Sequence, residues 1–107
     1  MNDWMRTACA LPAAMLVMAL LAGTAGATAT FTREPGVDRS GNDMAVFELD
    51  ASASADDCAA RCAGLKGCVA FTYVKKSTTV AKPVCRLKDQ KPYGYESGCC
   101  ISGALQN

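Results

Sequence analysis

Apolar residues are distributed along this chain in three ways. Residues 10–23 (ALPAAMLVMALLAG) form one uninterrupted apolar run without a charge. Further on, apolar residues alternate with polar ones or gather in short β-prone runs, the pattern of strands. Residues 28–33 (TATFTR) predict a first short strand, and residues 34–36 (EPG) break it. Residues 44–49 (MAVFEL) predict a second strand that turns Ala45, Phe47 and Leu49 to one side. Residues 68–74 (CVAFTYV) and 83–88 (PVCRLK) predict two more strands, joined by a polar hairpin loop over residues 75–82. Residues 89–98 hold Pro92, Gly94 and Gly98 and predict a loop, after which residues 99–105 return as a last edge strand.

A single helix interrupts this series. Ser54 offers an N-cap hydroxyl, Asp57 stands at the third helical position, and Asp56 and Asp57 suit the positive end of the helix dipole. The helix is expected to run through Cys58 and Cys62 to about Ala63, where Gly64 ends it. Strands, one helix and a hairpin in that order predict an α+β fold, the helix lying across a curved antiparallel sheet.

The apolar run at the N-terminus changes the picture of the remainder. Arg6 precedes it, it is short for a bilayer span of roughly 20 residues, and Ala25-Gly26-Ala27 or Ala27-Thr28-Ala29 follows as an A-x-A cleavage pattern. Residues 1–27 therefore read as a secretory signal and residues 28–107 as one small domain. Thr24 stands where a lipidated cysteine would be needed, so no stable membrane anchor is expected after cleavage. Removal of the signal takes Cys9 and leaves six cysteines: Cys58, Cys62, Cys68, Cys85, Cys99 and Cys100. An even number in an 80-residue exported domain reads as a disulfide framework, and sequence alone leaves fifteen pairings open. Cys58 and Cys62 share one helix face, where a bond between them has poor geometry. The favoured pairings are Cys62–Cys68, tying the helix end to the next strand, and Cys58–Cys85, pinning the preceding turn. For Cys99 and Cys100 three states stand open: a vicinal disulfide, two thiols, or a bridge between chains.

The chain has a net charge of +1, unevenly spread: residues 28–57 sum to −5 and residues 58–107 to +6. Histidine is absent, which excludes Ser–His and Cys–His catalysis and histidine-bound metals. The cysteine spacing does not match zinc hooks, no glycine-rich phosphate loop is present, and the basic half is too sparse for nucleic acid. No cofactor, metal or enzymatic role is expected.

The helix-borne Cys58-x3-Cys62, the stretch Cys68-Val69-Ala70-Phe71-Thr72-Tyr73, then Cys85-Arg86-Leu87-Lys88 and Cys99-Cys100-Ile101-Ser102-Gly103 together resemble the PAN/apple domain, in its short bacterial form. Phe31-x-Arg33-Glu34-Pro35-Gly36-Val37-Asp38 and Gly41-Asn42-Asp43 fit its N-terminal segment. The resemblance implies a central helix cradled by an antiparallel sheet, supports the two pairings above, and implies a non-catalytic module for binding protein or carbohydrate. The chain departs from many apple domains in lacking the N-terminal cysteine that ties their termini together.

Alternation anchored on Cys68 and Cys85 places Ala70, Thr72 and Leu87 toward the helix. It places Phe71, Tyr73, Arg86 and Lys88 on the opposite face, with Lys75, Lys76 and Lys82 at the adjoining hairpin tip. These seven residues are the candidate ligand surface, for an acidic sugar or another polyanion, or for an acidic protein patch. The plainer expectation is that Phe71 and Tyr73 fill a core and the lysines only keep the hairpin soluble. An exported binding module, secreted or periplasmic, is the resulting functional expectation. Its alternative is a small disulfide-rich inhibitor or a thiol-redox accessory protein using Cys99 and Cys100.

Overall fold

The computed structural model describes residues 29–106. The expected signal segment, its cleavage site and the Thr28 boundary lie outside them. Six strands and one helix follow in the order β1 (Thr30–Phe31), β2 (Glu34–Asp38), β3 (Asp43–Glu48), α1 (Ala55–Ala63), β4 (Ala70–Val74), β5 (Val84–Lys88) and β6 (Tyr95–Gln106). The α+β expectation holds: one helix packs on a curled antiparallel sheet. The sheet runs β1-β6-β4-β5-β3, and β2 pairs with β6 beside β1.

The helix forms where its caps predict. The Asp57 carboxylate accepts hydrogen bonds from the Ser54 backbone N–H at 2.7 Å and from its hydroxyl at 3.3 Å. At the other end the Gly64 N–H reaches back to the Ala60 carbonyl at 3.1 Å. Ala55, Cys58 and Cys62 are the buried positions of the helix, spaced three and four apart as one face requires. That face meets Leu49, Cys68, Phe71, Tyr73, Cys85 and Leu87 to make the core, with Ala45 and Phe47 packed at its margin. Ala45, Phe47 and Leu49 thus share a side as their alternation predicts.

Two disulfides fasten helix to sheet. Cys58 bonds Cys85 of β5, and Cys62 bonds Cys68, just before β4. Both pairings agree with the helix-face reading. A third bond joins the neighbours Cys99 and Cys100 within β6.

The structure corrects three readings. The strand expected over residues 28–33 is confined to Thr30–Phe31. Residues 34–36, expected to break it, open β2, where Pro35 lies at an outer edge of the sheet and its missing N–H breaks no ladder. β6 starts at Tyr95 and is no edge strand, having β1 and β2 on one side and β4 on the other. Most consequentially, β4 has the opposite phase from the one expected. Phe71 pairs with Leu87 and Tyr73 with Cys85, so both rings face the helix, while Ala70, Thr72 and Lys88 lie on the outer side. Cys68 precedes the strand, so alternation counted from it is off by one, and a slip of one residue exchanges the faces.

The outer side of β4 is covered too. The chain leaving β2 passes over it, and there the Thr72 and Ser102 hydroxyls share a hydrogen bond at 2.8 Å. Ser102 donates to the Val37 carbonyl at 2.8 Å, and the Arg39 N–H donates to Thr72 Oγ1 at 3.3 Å. These contacts satisfy the polar groups of a strand buried on both faces.

Candidate binding face

The outer side of the sheet holds the densest set of polar side chains. Alternation along β5 sends Val84, Arg86 and Lys88 away from the helix, and β3 begins beside them with Asp43 opposite Lys88. One carboxylate serves both cations. Asp43 Oδ1 accepts from Lys88 Nζ at 2.5 Å, and Oδ2 accepts from Arg86 Nη1 at 2.9 Å. Lys88 also donates to the Gly41 carbonyl at 2.9 Å. That carbonyl is presented by a tight turn in which Gly41 (φ 96°) and Asn42 (φ 58°) both adopt the left-handed backbone that these two residues tolerate best. Lys88 is wholly buried, so its ammonium depends on these oxygens. Arg86 remains half-exposed.

Above this triad lies an open polar cavity of about 360 Å³, between Asp38 and Ser40 on one side and Asp43, Val74, Arg86 and Lys88 on the other. Asp38 forms no ion pair among the described residues. Directly across from it in β6 is Tyr95, and residues opposed in an antiparallel pair project from the same face. The Tyr95 ring stacks on Tyr93 with centroids 6.5 Å apart and planes inclined by 26°. Tyr93 is 83 % exposed and Tyr95 48 %.

The base of this aromatic pair is held by Arg39. Its guanidinium grips Glu34 with two hydrogen bonds, 2.8 and 2.9 Å, and donates a third to the Pro92 carbonyl at 2.6 Å, one residue before Tyr93. The hydrogen bonds and charge of Arg39 outweigh the desolvation of Glu34 and hold its carboxyl below the ordinary value of 4.5.

Of the seven residues expected to form a ligand surface, the structure brings Arg86 and Lys88 together here, the latter without solvent contact. Phe71 and Tyr73 belong to the core, and Tyr73 donates its hydroxyl to the Ala53 carbonyl at 2.7 Å. Lys75, Lys76 and Lys82 are exposed on the β4–β5 loop as expected, with Lys76 donating to the Ala51 carbonyl at 3.2 Å. Residue-level reasoning passed over Asp38, Asp43, Tyr93 and Tyr95. A signal for the tyrosines was present: Tyr-Gly-Tyr in a Pro- and Gly-containing polar stretch is where aromatic rings have no core to enter. Nothing local marks Asp43 as the partner of Lys88, because that contact spans 45 residues.

Two clefts of about 240 and 430 Å³ flank the helix, one by Phe31 and Ala63, the other by Leu49 and Arg61. The second also gathers Asp50, Ser52, Asp57 and Arg61, but neither cleft has a stacked, exposed aromatic pair at its rim as the outer face does.

A family model described as PAN domain matches residues 37–88, a stretch that runs from the cover of the outer face through the helix and both strands of the hairpin. No curated protein and no solved structure matches the chain. The matched segment contains Cys58, Cys62, Cys68 and Cys85, whose two bonds fasten the helix to the sheet. In fold, in disulfide framework and in sequence over this segment, the chain carries a PAN domain.

Proposed function

We propose that this protein is an exported, non-catalytic binding module whose outer sheet face recognises a carbohydrate. PAN domains are in general binding and interaction modules, and the disulfides suit an oxidising compartment. A cleavable signal over residues 1–27 supplies the route to it.

The observation that carries the ligand reading is the placement of an exposed tyrosine stack beside the carboxylate rim of a polar cavity. A sugar ring has an apolar C–H face that packs on an aromatic ring, and hydroxyls that both donate and accept. Asp38 and Asp43 offer acceptors and Arg86 offers donors within the same cavity. The polyanion expectation has less support. Phe71 and Tyr73 are turned inward, and Arg86 and Lys88 already share the charge of Asp43.

A glycan array probed with the oxidised protein is the direct test. Retention of neutral or singly charged glycans, weakened about tenfold or more by Tyr93→Ala or by Arg86→Ala, is the expected result. Unchanged retention by Lys75→Glu/Lys76→Glu/Lys82→Glu would accompany it. Loss of binding only in the triple lysine variant would transfer the site to the hairpin tip and a polyanion. Absence of any retained glycan would remove the carbohydrate reading.

A further inference from the structure

Strand β6 carries Cys99 and Cys100 at the place where its pairing with β2 is interrupted. Pro35 lies opposite Ile101 and Val37 opposite Glu96, so Gly36 alone faces residues 97–100. This excess of residues makes a bulge, and bulges re-aim side chains out of the regular pleat. On its other side the same segment is held by β4: Val74 pairs with Cys100, and the Lys75 N–H donates to the Cys99 carbonyl at 2.9 Å. Both cysteine backbones are thus anchored. Cys99 is exposed and Cys100 is buried. A carboxylate oxygen of Asp38 and the two sulfurs all lie within 4.8 Å of one another.

We propose that Asp38, Cys99 and Cys100 form a redox-gated site for a thiophilic divalent cation of the zinc class. In the oxidised chain each sulfur is bonded to the other and the site is closed. Access decides which disulfide a small dithiol attacks, and Cys99 is exposed whereas Cys58, Cys62, Cys68 and Cys85 are buried. The thiolate of the dithiol bonds to Cys99 Sγ, the Cys99–Cys100 bond breaks, and Cys100 leaves as a thiolate that takes a proton from water. The second thiol of the reductant then displaces Cys99. Two electrons have passed to the protein, which holds two thiols, and the dithiol ends as its own cyclic disulfide.

A divalent cation suits the reduced pair, because thiols bind metals as thiolates. It bonds to both sulfurs as their two protons leave, takes a third bond from the ionised Asp38 carboxylate, and completes four-coordination with water. Zinc–sulfur bonds of about 2.3 Å and zinc–oxygen bonds of about 2.1 Å place such donors within about 4 Å of one another, a span that side-chain rotation from the present arrangement covers. Two thiolates with one carboxylate form a donor set of soft and intermediate character that favours zinc over calcium or magnesium. The site is independent of the carbohydrate reading, although Asp38 touches both.

The test uses the folded chain treated with a limited amount of dithiothreitol and desalted without air, then alkylated for intact-mass and peptide analysis. Two labels, on Cys99 and Cys100, are expected, with the other two disulfides intact. Titration of this reduced protein with Zn²⁺ alone should show one saturable site per chain that the oxidised protein lacks. Asp38→Asn should keep the two labels and weaken zinc about tenfold or more, while Cys99→Ser/Cys100→Ser should abolish the site. In the oxidised protein, Asp38→Asn reports on glycan retention alone, so the two readings fail separately. The proposal is overturned if reduction opens Cys58–Cys85 or Cys62–Cys68 first. It is equally overturned if the reduced and oxidised chains take up zinc alike, or if Asp38→Asn binds as tightly as the parent.

Discussion

Gly103 sits opposite Phe71 in the β4–β6 pair, and the ring lies over the place where a side chain would begin. A Cβ added there would stand 2.4 Å from the Thr32 carbonyl oxygen and 2.5 Å from Phe71 Cε2. Gly103→Ala is therefore expected to cost about 1–3 kcal/mol, read as a lower denaturant midpoint at unchanged slope. Lys88 and Asp43 make the second residue-scale case. Removing the carboxylate strands a buried ammonium, whereas removing the ammonium leaves Asp43 with Arg86 and some solvent. Asp43→Ala should cost about 3 kcal/mol and Lys88→Met distinctly less, a ranking that thermal melts of the two variants would check. A reversed ranking would mean that the Gly41 carbonyl and water suffice for the lysine. None of this was legible in the sequence, where Gly103 falls within the last predicted strand and Lys88 reads as a surface cation. Burial of a charge is decided by what the chain folds over it.

At the scale of elements, the best-read feature was the helix, because its caps are local chemistry: Ser54, Asp57 and Gly64 act within one turn of themselves. β2 was the hardest to read, since only its edge position excuses Pro35. Glu34 and Arg39 fasten this strand to the loop before Tyr93, and that clamp is sensitive to acid. The folded carboxyl titrates below 4.5, so the unfolded chain binds its proton first as pH falls. The stabilisation is whole above the unfolded value and is lost as pH drops through the lowered folded one. Glu34→Gln should accordingly be less stable than the parent near neutrality, and the gap should close below pH 4.5. Urea midpoints measured across that range would show it. A gap constant with pH would mean that the clamp acts through shape and not charge.

For the whole molecule, stability rests on closing a small chain on itself. The described core is one layer of side chains between a nine-residue helix and the sheet, thin enough that cross-links carry much of the stability. The Cys58–Cys85 bond spans 27 residues and Cys62–Cys68 spans 6. Chain-entropy reasoning then predicts losses of about 3–4 kcal/mol for the double alanine variant of the first pair and about 2 kcal/mol for the second. Equal losses in calorimetry would assign the stabilisation to packing around the sulfurs and not to loop closure. β1 lies along the last residues of β6, with Thr30 opposite Gln106, so strand pairing brings the two described ends side by side.

What the amino-acid sequence determined by itself was whatever depends on near neighbours: the helix and its caps, the β-prone runs, the shared helix face of Cys58 and Cys62, and the absence of histidine chemistry. The direction in which each β4 side chain points was decided only by tertiary structure. A strand buried on both faces has no polar alternation to mark its phase, so the pairing with β5 and β6 chose it. That choice turned Phe71 and Tyr73 into core. It left the outer face to Asp38, Asp43, Arg86 and the Tyr93–Tyr95 stack, residues separated in sequence and assembled by the curl of the sheet.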